Sequence, residues 1–202
     1  MSGQPDDINT RIGHRVHALR HAQSLTLDTL AERSGVGRST ISLIERGESS
    51  PTATVLDKLS AALGVTVASL FEAPATKDLP PCPLARVAEQ PVWTDPASGY
   101  VRRNVSPAFP SPIQLVDVRF PPGQRVAYDT GARDVDVHQQ VWMIDGAMEV
   151  TVGEAMWRLQ AGDCLAMRLD RPIAYRNPGK AAARYLVALV SQALPVTRRS
   201  AA

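Results

Sequence analysis

The fold of the first third of the chain is decided by residues 27–46, which read LDTLAERSGVGRSTISLIER. Thr26 precedes this stretch as a helix-capping residue, and Gly35 lies where a helix commonly ends in a left-handed residue and the chain turns. Apolar residues recur at helical spacing on both sides of this glycine. The stretch therefore predicts two short helices, residues 27–34 and residues 38–46, joined by a tight turn.

The second of these helices carries the residues that suggest a function. Ile41 and Ile44 form its buried side, so the remaining side chains point outward. Most of them are arginines or short polar groups, the types that reach base edges and phosphates in the major groove of double-stranded DNA. The predicted DNA-binding residues are Arg38, Ser39, Thr40, Ser42, Leu43 and Arg46.

Three further helices are predicted around this pair. Apolar residues at helical spacing indicate a first helix over residues 8–21 and a fourth over residues 52–63. A short fifth helix is predicted over residues 66–71, capped by its threonine. The first helix is expected to present a solvated face that carries Arg11, Arg15 and Arg20.

Residues 8–71 resemble the helix-turn-helix domains of the phage lambda repressor type, also called the XRE type. The most specific matches are Leu30-Ala31-Glu32, Glu45-Arg46-Gly47 and Leu63-Gly64-Val65. The resemblance implies a five-helix bundle whose third helix is the recognition helix, and binding as a dimer to a two-fold operator. Thr26-Leu27 departs from the family's frequent Thr-Gln pair, so one usual polar contact is missing. The alternative is a helical bundle used for protein contacts, such as an antitoxin-like module.

Proline divides the chain into two halves, because 11 of its 16 prolines lie between Pro74 and Pro122. The segment before them has helical periodicity, whereas apolar residues in the segment after them mostly alternate. We expect a multi-domain α + β protein with a helix-turn-helix domain over residues 1–72, a Pro-rich linker over 73–97 and a β-rich domain over 98–202.

Eight short strands are predicted in the second half. Glycine and proline turns separate them, which is typical of a small β-barrel or jelly roll. A barrel of about eight strands has room for packed side chains or one small ligand. The predicted strands are residues 100–105, 113–120, 137–144, 148–152, 155–159, 164–167, 173–176 and 184–190.

The segments 139–146, 159–163 and 177–178 make the second half resemble the cupin family over about residues 110–190. The resemblance implies an all-β cupin (jelly-roll) barrel, and it locates the four positions at which metal-binding members carry their ligands. Valine and isoleucine have no donor atom, glutamine is a weak neutral donor and arginine repels a metal ion. We therefore predict no metal, no cofactor and no catalytic residue. The four positions hold Arg133, Val135, Gln139 and Ile173.

The cupin resemblance further implies a pocket inside the barrel. An arginine among apolar walls suits a carboxylate, because a guanidinium group pairs with a carboxylate through two hydrogen bonds. In the alternative, Arg133 lies at the barrel mouth, solvated or paired with Asp134 or Asp136. The predicted ligand-binding residues are Arg133, Gln139, Val141, Ile173 and Tyr175.

Composition adds several exclusions. The 202 residues carry a net charge of +2 and two cysteines, so neither a basic protein nor a disulfide framework is indicated. The first residues lack the features of a signal peptide, and no apolar stretch approaches the roughly 18–20 residues of a membrane span. We expect a cytoplasmic protein with no membrane partner.

The two resemblances together indicate the XRE–cupin architecture of bacterial one-component transcriptional regulators. We expect a homodimer that binds operator DNA, with a barrel that supplies the dimer contact, a pocket for a small-molecule effector, or both. A metal-dependent cupin enzyme fused to a helix-turn-helix domain is an alternative that the missing ligands disfavour.

Overall fold

The computed structural model of the protein describes residues 7–72, 82–129 and 135–193. Within these ranges the helices come first and the strands follow. Two 3-10 helices, Ala68–Phe71 and Val87–Glu89, lie between them. The α-helices are α1 (Ile8–Ala22), α2 (Leu27–Ser34), α3 (Arg38–Glu45) and α4 (Ala53–Ala62).

The predicted fifth α-helix is wrong, because that segment forms the four-residue 3-10 helix Ala68–Phe71. Thr66 does cap it, since its Oγ1 accepts a hydrogen bond from Ser69 N at 3.2 Å. Glu72 is already extended, with φ −65° and ψ 137°. The segment is therefore too short to build the i to i−4 ladder of an α-helix.

The cap predicted for α2 is present, and α4 has a threonine cap as well. The Oγ1 of Thr26 accepts a hydrogen bond from Thr29 N at 3.0 Å, and α2 ends at Gly35 with φ 65°. The Oγ1 of Thr52 accepts one from Val55 N at 3.3 Å. These bonds satisfy amide groups that the first turn of a helix leaves without partners, so they fix where α2 and α4 begin.

The α1 and α3 helices cross in close contact at Gly13. A Cβ at this position would lie 2.2 Å from the carbonyl oxygen of Ile44, so any side chain would push the two helices apart. The fully buried apolar core beneath this crossing includes Ile12, Val16, Leu30, Ile41, Ile44, Leu56 and Leu59.

All eight predicted strands are present with small changes in their ends, together with two that were not predicted. These two are short, and one of them lies between Pro91 and Pro96 in the segment assigned to the linker. The strands are β1 (Val92–Thr94), β2 (Val101–Asn104), β3 (Ile113–Phe120), β4 (Arg125–Tyr128), β5 (Val135–Asp145), β6 (Ala147–Val152), β7 (Ala155–Gln160), β8 (Cys164–Arg168), β9 (Ile173–Arg176) and β10 (Ala183–Ala193).

The strands form two antiparallel sheets, which makes the second half β-rich. One sheet has the order β1-β2-β3-β10-β5-β8 and the other has the order β4-β9-β6-β7. The prediction of a closed barrel is wrong, because no hydrogen-bonded ladder joins these two sheets among the described strands. Alternate residues of each sheet turn inward and form the second core.

The helical half and the β-rich half are in direct contact. Asp95, which follows β1, is buried, and its Oδ1 accepts a hydrogen bond from Ala53 N at the start of α4 at 3.0 Å. Phe71 packs edge-on against Trp93 of β1, with ring centroids 5.8 Å apart. Trp93 in turn packs edge-on against Tyr100. The β-rich half thus supplies part of the N-terminal cap of a helix in the other half.

Candidate nucleic-acid interface and interdomain cavity

The α3 helix presents the predicted DNA-binding residues on one face. Its buried side is formed by Ile41 and Ile44, both with no exposed surface. This packing determines which side chains face solvent. The exposed ones are Arg38, Ser39, Leu43 and Arg46, and the half-buried ones are Thr40 and Ser42.

The two arginines of this surface are each paired with a nearby carboxylate. Arg38 Nε lies 2.9 Å from Asp28 Oδ1 at the start of α2. Arg46 Nε lies 2.8 Å from Glu48 Oε1, and its hydrogen bond to Glu48 raises the pKa of Arg46 while lowering that of Glu48. Exposed pairs of this kind are weak, so phosphate groups are able to displace the carboxylates.

A buried ion pair fixes the end of α3. Arg20 of α1 bonds Glu45 through Nε to Oε1 and Nη2 to Oε2, both at 2.7 Å. The hydrogen bond to Glu45 raises the pKa of Arg20 although burial opposes it. The prediction that Arg20 lies on a solvated face is therefore wrong, because Arg20 anchors α1 to the C-terminal end of α3.

Residues of both halves line a cavity at the junction of the two domains, which we call the interdomain cavity. It offers about 70 Å³ to the centres of water-sized groups. All four tyrosines of the chain contribute to its wall. The helical half contributes Asp57, Thr66, Val67 and Ala68. The β-rich half contributes Tyr100, Arg102, Val118, Tyr128, Val137, Gln139, Leu169, Ile173, Tyr175, Tyr185, Val187 and Leu189.

The polar groups of this wall are linked to one another. The hydroxyls of Tyr100 and Tyr128 are 3.0 Å apart, and Gln139 Nε2 donates to the Tyr175 hydroxyl at 2.6 Å. Burial raises the pKa of all four tyrosines, that of Tyr185 well above its ordinary value. The tyrosines therefore remain neutral at physiological pH and act as hydrogen-bonding groups.

The predicted ligand-binding residues fall in three places. Gln139, Ile173 and Tyr175 lie in the wall of the interdomain cavity. Val141 is completely buried in the core and is not one of the described wall residues. Arg133 lies outside the described residues.

Arg102 is a residue of the site that sequence reasoning missed. Among the described residues of the cavity wall, Arg102 is the arginine. It lies on β2 next to Arg103, whose side chain faces the opposite side of the sheet and pairs with Asp117. Strand alternation would have separated the two arginines. Alternation alone could not have shown which of the two arginines faces the cavity, because the segment that resembles the cupin family begins after β2.

Two absences hold for the described ranges. There, no cluster of three or more His, Cys, Asp or Glu side chains is placed to hold a metal ion. In the same parts of the chain, no helix combines the length and the apolar character needed to cross a membrane.

Comparison with known proteins assigns the class. Residues 16–70 match a helix-turn-helix family profile. The chain is 26% identical over 168 residues to the HTH-type transcriptional regulator SutR of Escherichia coli (strain K12), covering 80% of this chain and 84% of that protein. It is 24% identical over 177 residues to the HTH-type transcriptional regulator PuuR of the same organism, covering 87% and 92%.

One solved structure shares the fold over nearly the whole chain. The HTH_3 family transcriptional regulator from Vibrio cholerae aligns with a TM-score of 0.70 at 22% identity, covering 91% of this chain and 96% of that one. The N-terminal part of the chain therefore matches a helix-turn-helix domain over residues 16–70. The chain as a whole is similar to HTH-type transcriptional regulators over most of its length.

Proposed function

We propose that this protein is a sequence-specific, DNA-binding transcriptional regulator with α3 as its recognition helix. The observation that carries the proposal is the outward row of arginines, hydroxyls and Leu43 on a helix held in place by two buried isoleucines and the Arg20–Glu45 pair. A dimer would bring two such helices to half-sites about 34 Å apart on a two-fold operator.

The test begins by selecting an operator from random double-stranded DNA with the full-length protein. Fluorescence anisotropy then compares wild type with Arg38→Ala, which we expect to weaken operator binding by about 1–3 kcal/mol and to relax the sequence preference. Arg125→Ala removes an exposed arginine of the β-rich half and serves as the matched control. Equal loss on operator and random DNA would make Arg38 a phosphate contact, and no sequence preference in wild type would contradict the proposal.

The dimer is proposed to form through the outer face of the six-stranded sheet. Trp142 and Leu186 are opposite each other there, and so are Val190 and Ile113. Trp142 is 50% exposed and Ile113 is 49% exposed. Leu186, Ala188 and Val190 alternate along this face of β10, with Asp117 and His138 beside them, and exposed apolar groups rimmed by polar ones are typical of a protein interface.

Light scattering coupled to size-exclusion chromatography tests the dimer. Trp142→Glu is expected to give a monomer, since a carboxylate would be buried in the interface. Trp157→Glu makes the same change at a tryptophan of the other sheet that is 42% exposed. A dimer that survives the first change, or that only the second one breaks, would place the interface elsewhere.

The interdomain cavity is proposed to bind a small-molecule effector. Both domains contribute to its wall, so a ligand there contacts the DNA-binding half directly. We assign binding to it, with its neutral tyrosines as hydrogen-bonding groups. A thermal-shift panel of carboxylates, amines, sugars and amides tests the proposal, since a ligand that binds only the folded protein stabilises it. A flat response across all classes would contradict it.

A further inference from the structure

Arg102 lies where three features of the molecule meet. Its side chain lines the interdomain cavity. Its Cζ lies 5.2 Å from the centre of the Phe71 ring, which belongs to the DNA-binding half. Its Nη2 atom is buried and has no hydrogen-bond partner among the described residues. A buried guanidinium donor without an acceptor is unfavourable, so this position favours an acceptor that a ligand brings.

The surrounding wall suits a carboxylate acceptor. Carboxylate oxygens accept charge-assisted hydrogen bonds from a guanidinium, and protonated phenols such as Tyr100 and Tyr128 are able to donate further ones. The wall also carries the carboxylate of Asp57. A second acidic group on the ligand would meet this like charge, so the site favours one carboxylate and an otherwise apolar body.

The volume limits the size of the ligand. The cavity offers about 70 Å³ to the centres of water-sized groups, well below the roughly 300 Å³ or more of a pocket for a drug-sized ligand. A short-chain monocarboxylate is of the size that such a cavity admits.

The contacts of Arg102 also lead into the DNA-binding half. Its Nε donates to Asn104 Oδ1 at 3.4 Å, and Asn104 Nδ2 donates to the carbonyl oxygen of Ala68 at 3.2 Å. Phe71 and Ala68 belong to the same 3-10 helix, and Arg15 of α1 bonds the carbonyl oxygen of Ser69 within it at 3.2 Å. A shift of the guanidinium toward a ligand would therefore disturb contacts that connect to α1, which packs against the recognition helix.

We infer that Arg102 binds the carboxylate of a small monocarboxylic acid in the interdomain cavity and transmits its presence to the DNA-binding half through its contacts with Phe71 and Asn104. This inference rests on the proposed effector function of the cavity. It adds to it the ligand class, the residue that recognises it and the contacts that couple it to DNA binding.

The first experiment measures ligand class and residue on the full-length protein. Propionate, butyrate and isobutyrate are titrated by calorimetry and thermal shift, each with its own amide, such as butyramide for butyrate, as the uncharged match. At least one acid is expected to bind, the amide more weakly by at least tenfold. Arg102→Met is expected to lower the affinity for that acid at least tenfold, and Arg102→Lys is expected to lower it less. Arg103→Met makes the same change on the opposite face of β2 and should leave the affinity within about threefold.

The second experiment measures the coupling. The acid that binds is expected to change the operator dissociation constant of wild type by at least about fivefold. The acid should still bind the Phe71→Leu variant, but there the ratio of the operator dissociation constants with and without the acid should fall toward one. Phe120→Leu makes the same change to a buried ring that stacks on Tyr100 within the β-rich half, and it should keep the coupling. Asn104→Ala interrupts the second contact and replaces Phe71→Leu if that variant is unfolded.

The outcomes separate the inference from the function on which it rests. Butyramide binding as tightly as butyrate, an acid that binds Arg102→Met normally, or unchanged coupling in both Phe71→Leu and Asn104→Ala would each overturn the inference. Binding of an amine or a sugar without any acid would also overturn it, but would leave the cavity an effector site. No binding from any class would overturn both, and loss of DNA binding by wild type would contradict only the regulator function.

Discussion

The two halves of the molecule carry their candidate functional residues in opposite places. The α3 helix exposes its polar side chains on a surface, and they all lie in the single short stretch 38–46. The interdomain cavity keeps its polar side chains inside, and they come from five strands of the β-rich half and from the helical half. Surface recognition is therefore visible in a short motif, whereas the cavity is visible only when distant segments are brought together.

The largest effect is expected from a change that breaks the surface by removing its support. Ile41→Asp places an unpaired charge in the fully buried core of the bundle, at a cost of about 5 kcal/mol or more. Urea unfolding followed by circular dichroism measures it. Leu43→Asp, two residues away and at a side chain that is 38% exposed, should keep the wild-type midpoint. A wild-type midpoint for Ile41→Asp would show that the assigned packing of α3 is wrong.

The next effect concerns the buried pair behind the recognition helix. Glu45→Ala leaves the Arg20 guanidinium without its main partner and is expected to cost about 3–5 kcal/mol in unfolding free energy. The double variant Arg20→Met with Glu45→Leu removes both charges, and denaturant unfolding should show most of the stability restored. If the double variant were as unstable as the single one, the packing of these side chains, not the uncompensated charge, would be responsible.

A smaller effect tests the contact between the halves. Asp95→Ala removes the carboxylate that accepts hydrogen bonds from Ala53 N and from Ser98 N. We expect this change to lower the free energy of unfolding by about 2–3 kcal/mol. Thr52→Ala removes the side-chain cap at the start of α4 and should lower the free energy of unfolding by about 1 kcal/mol. Calorimetry should show the two halves unfolding separately in the first variant and together in the second. Identical single transitions in both would mean that Asp95 does not hold the halves together.

The smallest effect is a pH dependence confined to the β-rich half. Burial would raise the pKa of Asp117, but hydrogen bonds from Arg184 and Arg103 outweigh it, so the pKa lies below the ordinary 3.8. The folded state then binds fewer protons than the unfolded state. The ionised Asp117 therefore contributes on the order of 1 kcal/mol to the free energy of unfolding. This contribution is present above about pH 4 and is lost as the pH falls through the lowered pKa. Melting temperatures from pH 6 to pH 2 should fall less steeply in Asp117→Asn than in wild type.

The helical half was predictable because its determinants are local. Thr26, Gly35 and the isoleucines of α3 act within a few residues of one another, and the structure places the helices where their spacing predicts. The role of Arg20 was missed for the opposite reason. Its partner Glu45 is 25 positions away, and helical periodicity gives no information about pairing at that distance.

In the β-rich half, the strands were predictable but their arrangement was not. Alternation finds a strand without identifying its neighbours, so the two sheets and the short strands β1 and β4 required the structure. Tyr175 and Gln139 were placed in the cavity wall by family resemblance. Arg102 was not, because β2 precedes the segment that resembles the family. The contribution of α4 was also hidden, since nothing in the sequence shows that Asp57 meets the β-rich half.

The cap that Asp95 provides for α4 has a consequence for engineering chimaeric regulators. The Pro-rich segment is the obvious point at which to exchange the β-rich half for another, yet a cut there would separate α4 from Asp95 and Phe71 from Trp93. A transplanted DNA-binding module would then lose part of its own support. A junction placed after Asp95 would carry both contacts along, so the exchangeable unit of this protein is longer than its helix-turn-helix motif.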